Sequence, residues 1–144
     1  MTNTQNMLQP QINDYFCGPA CLQYAIKKLR GVDVSQYQIA DAMKLTYEGA
    51  DDEQMVKGAN AYQLWAGIVT AGDITQYLIE EYVVVIGWVY PPDMEHYAIL
   101  LELNEQEDRV VISDQWDGLP MIITLRYTDF IKLWKQTTVV VLSK

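Results

Sequence analysis

A cysteine stands directly before Gly-Pro in QINDYFCGPACLQYAIKKLRG, residues 11–31, and a helix-like pattern follows at once. An isolated cysteine in a globular chain is ordinarily a small core hydrophobe. Cys17 differs in opening a helix, where unpaired N–H groups and the macrodipole favour an anion. A thiol so placed is expected to have a lowered pKa, and the thiolate is the nucleophile. Cys21, one turn deeper, falls on the apolar face and reads as core. His96 is the only histidine in the chain and opens the apolar strand HYAILLEL at 96–103. Asp114 ends the strand VISD. Pairing of strands 96–103 and 108–114 through NEQE at 104–107 sets the start of one beside the end of the other. His96 and Asp114 then become neighbours, a general base and the carboxylate that orients it. Gln11, six residues before Cys17, offers an amide that could join the Cys17 N–H in an oxyanion hole. Trp88 and Trp116 lie close to the ends of these strands, as core rings or as walls of a substrate cleft.

The elements that must position these residues are legible in the pattern. After Cys17-Gly18-Pro19, apolar residues fall at Ala20, Cys21, Tyr24, Ala25 and Leu29, one helical face. Pro19 suits a first turn and Gly31 a stop. A second helix is expected over about 35–43, capped by Ser35. A third is expected over about 52–64, where Asp51 and Gln54 form a capping box. A fourth over 73–81 is opened by Asp73. The second half is rich in β-branched residues, with strands expected at 82–89, 96–103, 108–114, 121–126 and 137–143. A helix at about 128–135 interrupts them, and DGLP at 117–120 supplies a turn. Helices first and an antiparallel sheet after is an α+β arrangement in one domain, residues 1–144.

Composition bounds the function. The chain has 144 residues, half hydrophobic and a fifth charged, with a net charge of −9, enough for one ordinary domain. That charge argues against nucleic acid and against insertion at an anionic membrane surface. The polar start MTNTQNMLQPQIND is no signal peptide. No window nears the ~18–20 apolar residues of a bilayer span, and the longest apolar run, VVVIGWVY at 83–90, has the length of a buried strand. A cytoplasmic location is expected. Two cysteines and one histidine are too few, and too far apart, for a zinc site, and no cofactor is expected.

The constellation resembles the C39 and C39-like cysteine peptidases of the papain-like superfamily, which include the leader-peptidase domains of bacteriocin exporters. Gln-x5-Cys-Gly-Pro-Ala-Cys carries the likeness, followed by His96-Tyr97 and by Ser113-Asp114. Gly49 to Gln54, Gly118, Phe130 and Trp134 add to it. The resemblance implies a papain-like fold, a helical half packed on an antiparallel sheet. It implies Cys17 as nucleophile, Gln11 as oxyanion residue, His96 as base and Asp114 as its partner, acting on a peptide or protein substrate. Two positions depart from the family pattern. Glu95 stands where glycine usually precedes the histidine, and Gln115 where proline usually follows the aspartate. With no transporter motif in the chain, the resemblance is more to the free-standing members than to a transporter-linked leader peptidase, and an excised domain stays open. A non-cleaving binding module on this fold, motivated by Glu95 and Gln115, stays open, as does acyl transfer from the same acyl-enzyme.

Overall fold

The computed structural model describes residues 7–70, 74–89, 95–115 and 121–144; the side chains at positions 89, 95, 135–139 and 141 lie outside that description. Helix α1 spans Cys17–Arg30 and stops at Gly31, whose φ of 71° closes it with an N–H to the Lys27 carbonyl. Helix α2 spans Gln36–Met43 and α3 spans Asp52–Ala61. Both open with the reciprocal side-chain bonds of a capping box, Ser35 with Gln38 and Asp51 with Gln54. Each box satisfies two N–H groups that the helix itself leaves unpaired. Helix α3 stops three residues short of the expected Leu64. Leu64 N–H folds back to the Ala59 carbonyl, and Gln63 takes a positive φ of 62°.

The sheet has six antiparallel strands: β1 Trp65–Thr70, β2 Val83–Val89, β3 Glu95–Asn104, β4 Arg109–Ser113, β5 Ile122–Leu125 and β6 Trp134–Ser143. Their spatial order is β1-β6-β2-β3-β4-β5. Helix α4, Ile74–Ile79, joins β1 to β2, and α5, Tyr127–Leu133, joins β5 to β6. Strand β1 was not expected from the sequence. It pairs along its whole length with β6, and its side chains are half-buried or exposed, so WAGIVT shows no clean apolar alternation. Strand β6 begins three residues earlier than expected, because α5 ends at Leu133 and the chain extends from Trp134. The Asp73 cap and the DGLP turn lie outside the described residues.

Both faces of the sheet are covered, which explains the unbroken VVVI of β2. Val83 and Val85 face the helical layer of α1–α3, packing with Leu22, Ile26, Met43 and Met55. Val84, Ile86 and Trp88 face the other way, toward Ile74, Phe130 and Trp134. A strand buried on both sides reads as a continuous apolar run rather than an alternation. No helix among the described residues is long and apolar enough to cross a membrane.

Candidate active site

Cys17 is the first residue of α1, and no side chain caps that end. Gly18 lets the helix start sit against the entry to α3. A Cβ there would stand 3.0 Å from both the Ala50 Cβ and the Met55 Sδ. Across from it, the Tyr97 N–H of β3 donates to the Cys17 Sγ at 3.4 Å. The thiol is thus held between a helix N-terminus and the strand that carries His96. Cys17 is 9% exposed, and this burial raises its pKa. The Tyr97 and Gly18 N–H groups pull it down by less, and the Asp114 charge pushes it further up. The sequence suggested a lowered thiol pKa from the helix start alone. The correction has a simple cause: a few N–H groups do not replace the water that burial removes. Cys21 lies beneath, fully buried, with its thiol pushed well up, as a core residue.

The hairpin β3–β4 does what its pattern promised. Ile99 pairs with Ser113, and the turn after Asn104 returns the chain so that Asp114 follows β4 beside the start of β3. His96 Nε2 and Asp114 Oδ2 lie 2.8 Å apart and buried. Asp114 has no exposed surface, and its backbone N–H is tied to the Met121 carbonyl at 3.0 Å. With Nε2 engaged by the carboxylate, the ring is fixed in plane and rotation.

Gln11 comes to the same corner by its backbone. Its N–H donates to the Gln115 carbonyl at 2.7 Å, one residue past Asp114. Its side chain is buried, and Nε2 donates to the Asn13 carbonyl at 2.8 Å. Gln115 therefore has a structural task. Its own Nε2 donates to the Gln9 carbonyl at 2.8 Å and the Ala20 carbonyl at 3.3 Å. It stitches the N-terminal segment and α1 to the strand end, with the His96–Asp114 pair intact beside it. The Glu95 side chain lies outside the described ones.

Trp88 is fully buried. It sits opposite His96 in the β2–β3 register, with ring centroids 6.0 Å apart, above the stacked pair Phe130 and Trp134. The Trp88 ring has no exposed surface and backs the imidazole from inside the core. Trp116 lies outside the described residues.

Two contributions escaped the sequence reading. Tyr97 supplies the N–H to Cys17, and its hydroxyl donates to Asp52 Oδ1 at 2.5 Å, linking β3 to the first turn of α3. Gln36, the first residue of α2, reaches the segment around Gln11. A backbone donor leaves no mark on side-chain type, and a glutamine at a helix start reads as solvated.

A family model described as the peptidase C39 family matches residues 5–144. The chain belongs to the peptidase C39 family. It is accordingly a cysteine peptidase. Solved C39 structures share the fold at low identity. The peptidase domain of Streptococcus ComA, a bi-functional ABC transporter of a quorum-sensing pathway, superposes with a TM-score of 0.77 at 19% identity, covering 96% of this chain and 98% of that one. A double glycine motif protease from an AMS/PCAT transporter, solved with its leader peptide, gives 0.72 at 16% identity, with coverages of 95% and 91%. The N-terminal C39-like domain of a toxin secretion ATP-binding protein from Vibrio parahaemolyticus gives 0.67 at 12% identity, with coverages of 92% and 98%. No curated protein matches the chain.

Proposed function

We propose that this C39 peptidase cleaves a peptide through Cys17, His96 and Asp114, with Gln11 in the oxyanion hole. The buried 2.8 Å contact between His96 and Asp114, beside a thiol that accepts the Tyr97 N–H, is the observation that carries this reading. Asp114 engages Nε2, so Nδ1 is the nitrogen assigned to the thiol proton. Burial raises the Cys17 pKa, so the helix N-terminus alone is not the source of the thiolate in this mechanism. His96 takes the proton as the sulfur attacks the scissile carbonyl, and the protonated imidazole then balances the charge of Asp114. The tetrahedral oxyanion accepts from the Cys17 N–H and from Gln11 Nε2. Asn13 takes one hydrogen of that amide and fixes its rotation; the second is the one assigned to the oxyanion. Collapse of the intermediate breaks the C–N bond, and the imidazolium gives its proton to the leaving amine. His96 then activates water, which hydrolyses the thioester and frees the acid and Cys17.

The substrate class is a peptide segment presented in extended form between the helical layer and the start of β3. The relative solved with a leader peptide is a double glycine motif protease, so peptides with Gly-Gly before the cut are the first to try. Wild-type protein incubated with such peptides should release two products by mass, and Cys17→Ala should release none while keeping the wild-type circular dichroism. Iodoacetamide should label Cys17 far faster than Cys21, with the rate falling in His96→Ala. Retained cleavage in Cys17→Ala would end this mechanism.

A further inference from the structure

We infer that Gln36 is a positioning residue for the oxyanion hole, acting through Gln11 and touching neither Cys17 nor substrate; the inference rests on the peptidase reading above. Residues 9–12 run between two buried glutamines. On one side Gln115 Nε2 binds the Gln9 carbonyl and the Gln115 carbonyl receives the Gln11 N–H. On the other, Gln36 Nε2 donates to the Pro10 carbonyl at 2.9 Å, and Gln36 Oε1 accepts the Ile12 N–H at 3.0 Å. The bonds alternate along the segment as they would between neighbouring strands, with one side-chain amide standing in for a strand on the α2 side. Gln36 brackets Gln11 from the residue before and the residue after.

The amide has one orientation. A carbonyl must meet the nitrogen and an N–H must meet the oxygen, so Pro10 and Ile12 together forbid a flip. The second hydrogen of Nε2 goes to Gln23 Oε1 at 3.0 Å, and Gln23 Nε2 is held in turn by the Val34 carbonyl. Gln36 is only 2% exposed although it opens a helix. Burying a primary amide is costly unless its polar atoms are paired, and here both nitrogen hydrogens and the oxygen have partners. Nothing in the helix requires this, because Ser35 and Gln38 already complete the cap. The clamp serves the segment that carries Gln11. An oxyanion donor must stand within a few tenths of an ångström of the developing charge to act, and the Gln36 amide adds a second line of bonds to the one from Gln115.

The test separates reactions that form an oxyanion from one that does not. p-Nitrophenyl acetate acylates Cys17 through a tetrahedral oxyanion, releasing p-nitrophenolate; iodoacetamide alkylates the same sulfur by displacement of iodide, with no oxyanion. Gln11→Ala should slow acylation by about 100-fold, the usual scale for one donor. Gln36→Met, of similar length without the amide, should slow it by about tenfold. The double variant should be no slower than Gln11→Ala, and alkylation should stay within about twofold of wild type throughout. Gln23→Ala, which removes only the outer support of the amide, should show a smaller loss of the same kind and serves if Gln36→Met folds poorly. Wild-type acylation in Gln36→Met, or a double variant slowed by the product of the two single effects, would overturn the inference. Amide hydrogen exchange probes the clamp independently of activity: the Ile12 N–H should exchange faster in Gln36→Met, and unchanged exchange there also overturns it. A wild-type protein that fails to acylate at Cys17 would instead sink the peptidase reading, with the clamp then tested by exchange alone.

Discussion

At Cys17 two opposing effects meet, and burial is the larger. The thiol sits at a helix start with N–H groups from Gly18 and Tyr97 toward it, yet its pKa is raised because water is excluded. In the proposed mechanism His96 takes the thiol proton as the sulfur attacks, and this places weight on Asp114. A neutral amide at that position can still accept the Nε2–H through its oxygen, as in Cys-His-Asn sites, but it no longer balances the charge of the imidazolium. Asp114→Asn is expected to lower kcat by about 10–100-fold with KM little changed. Steady-state kinetics on a cleaved Gly-Gly peptide checks this, and a variant within twofold of wild type would remove Asp114 from the mechanism. The sequence pointed to Cys17, His96, Asp114 and Gln11 because their types and spacing are chemically unusual. It was silent on Gln36 and Tyr97, whose contributions depend on what lies across from them.

Among the elements, the helical layer is set by close approach. Gly58 lies in α3 where α1 and α2 converge. A Cβ there would meet Met43 Cγ at 2.5 Å and Leu22 Cδ1 at 2.8 Å, closer than packed carbon atoms allow. Alanine is the better helix former by about 1 kcal/mol, but overpacking a core costs about 1–3 kcal/mol. Gly58→Ala should therefore destabilise by about 1 kcal/mol, read as a lower urea midpoint at unchanged slope. A higher midpoint would mean that propensity wins and Met43 yields freely. The long patterned elements were legible for physical reasons: α1 has a continuous apolar face, β2 is buried on both sides, and both capping boxes are local chemistry. Strand β1 was not legible. It is an edge strand, half-exposed, and its identity is conferred by pairing with β6, far along the chain.

Across the whole molecule, protons are held on groups that burial keeps neutral. Cys21 and Cys17 both have raised thiol pKa values, and the Tyr97 hydroxyl is raised too, by burial and by its bond to Asp52. A group whose pKa is higher folded than unfolded stabilises fully below its unfolded pKa, and that contribution fades as pH rises above it. Unfolded thiols titrate near about 8.5 and tyrosine near about 10. Stability should thus decline from about pH 8.5 upward, by up to about 1.4 kcal/mol per pH unit for each fully retained proton. Urea denaturation at pH 7 and pH 9.5 should show a smaller alkaline loss in Cys21→Ala than in wild type. Equal losses would show that Cys21 does not keep its proton in the fold.

By itself the sequence determined the chemistry on offer and the local elements that carry it: the helix that begins at Cys17, the hairpin that joins His96 to Asp114, the α+β order and the C39 motif. The helix, the hairpin and the element order follow from short-range rules of periodicity, capping and turn length, which act within a few residues; the C39 motif is a resemblance carried by residue identities. Only the tertiary structure decided how those groups behave. Burial reversed the direction of the Cys17 shift, placed Trp88 behind the imidazole, made Gln115 a stitch beside the pair, and brought Gln36 to the segment of Gln11. Each of these depends on solvent exclusion or on a hydrogen bond between residues distant in the chain, and neither exists until the helical layer and the sheet have closed on one another.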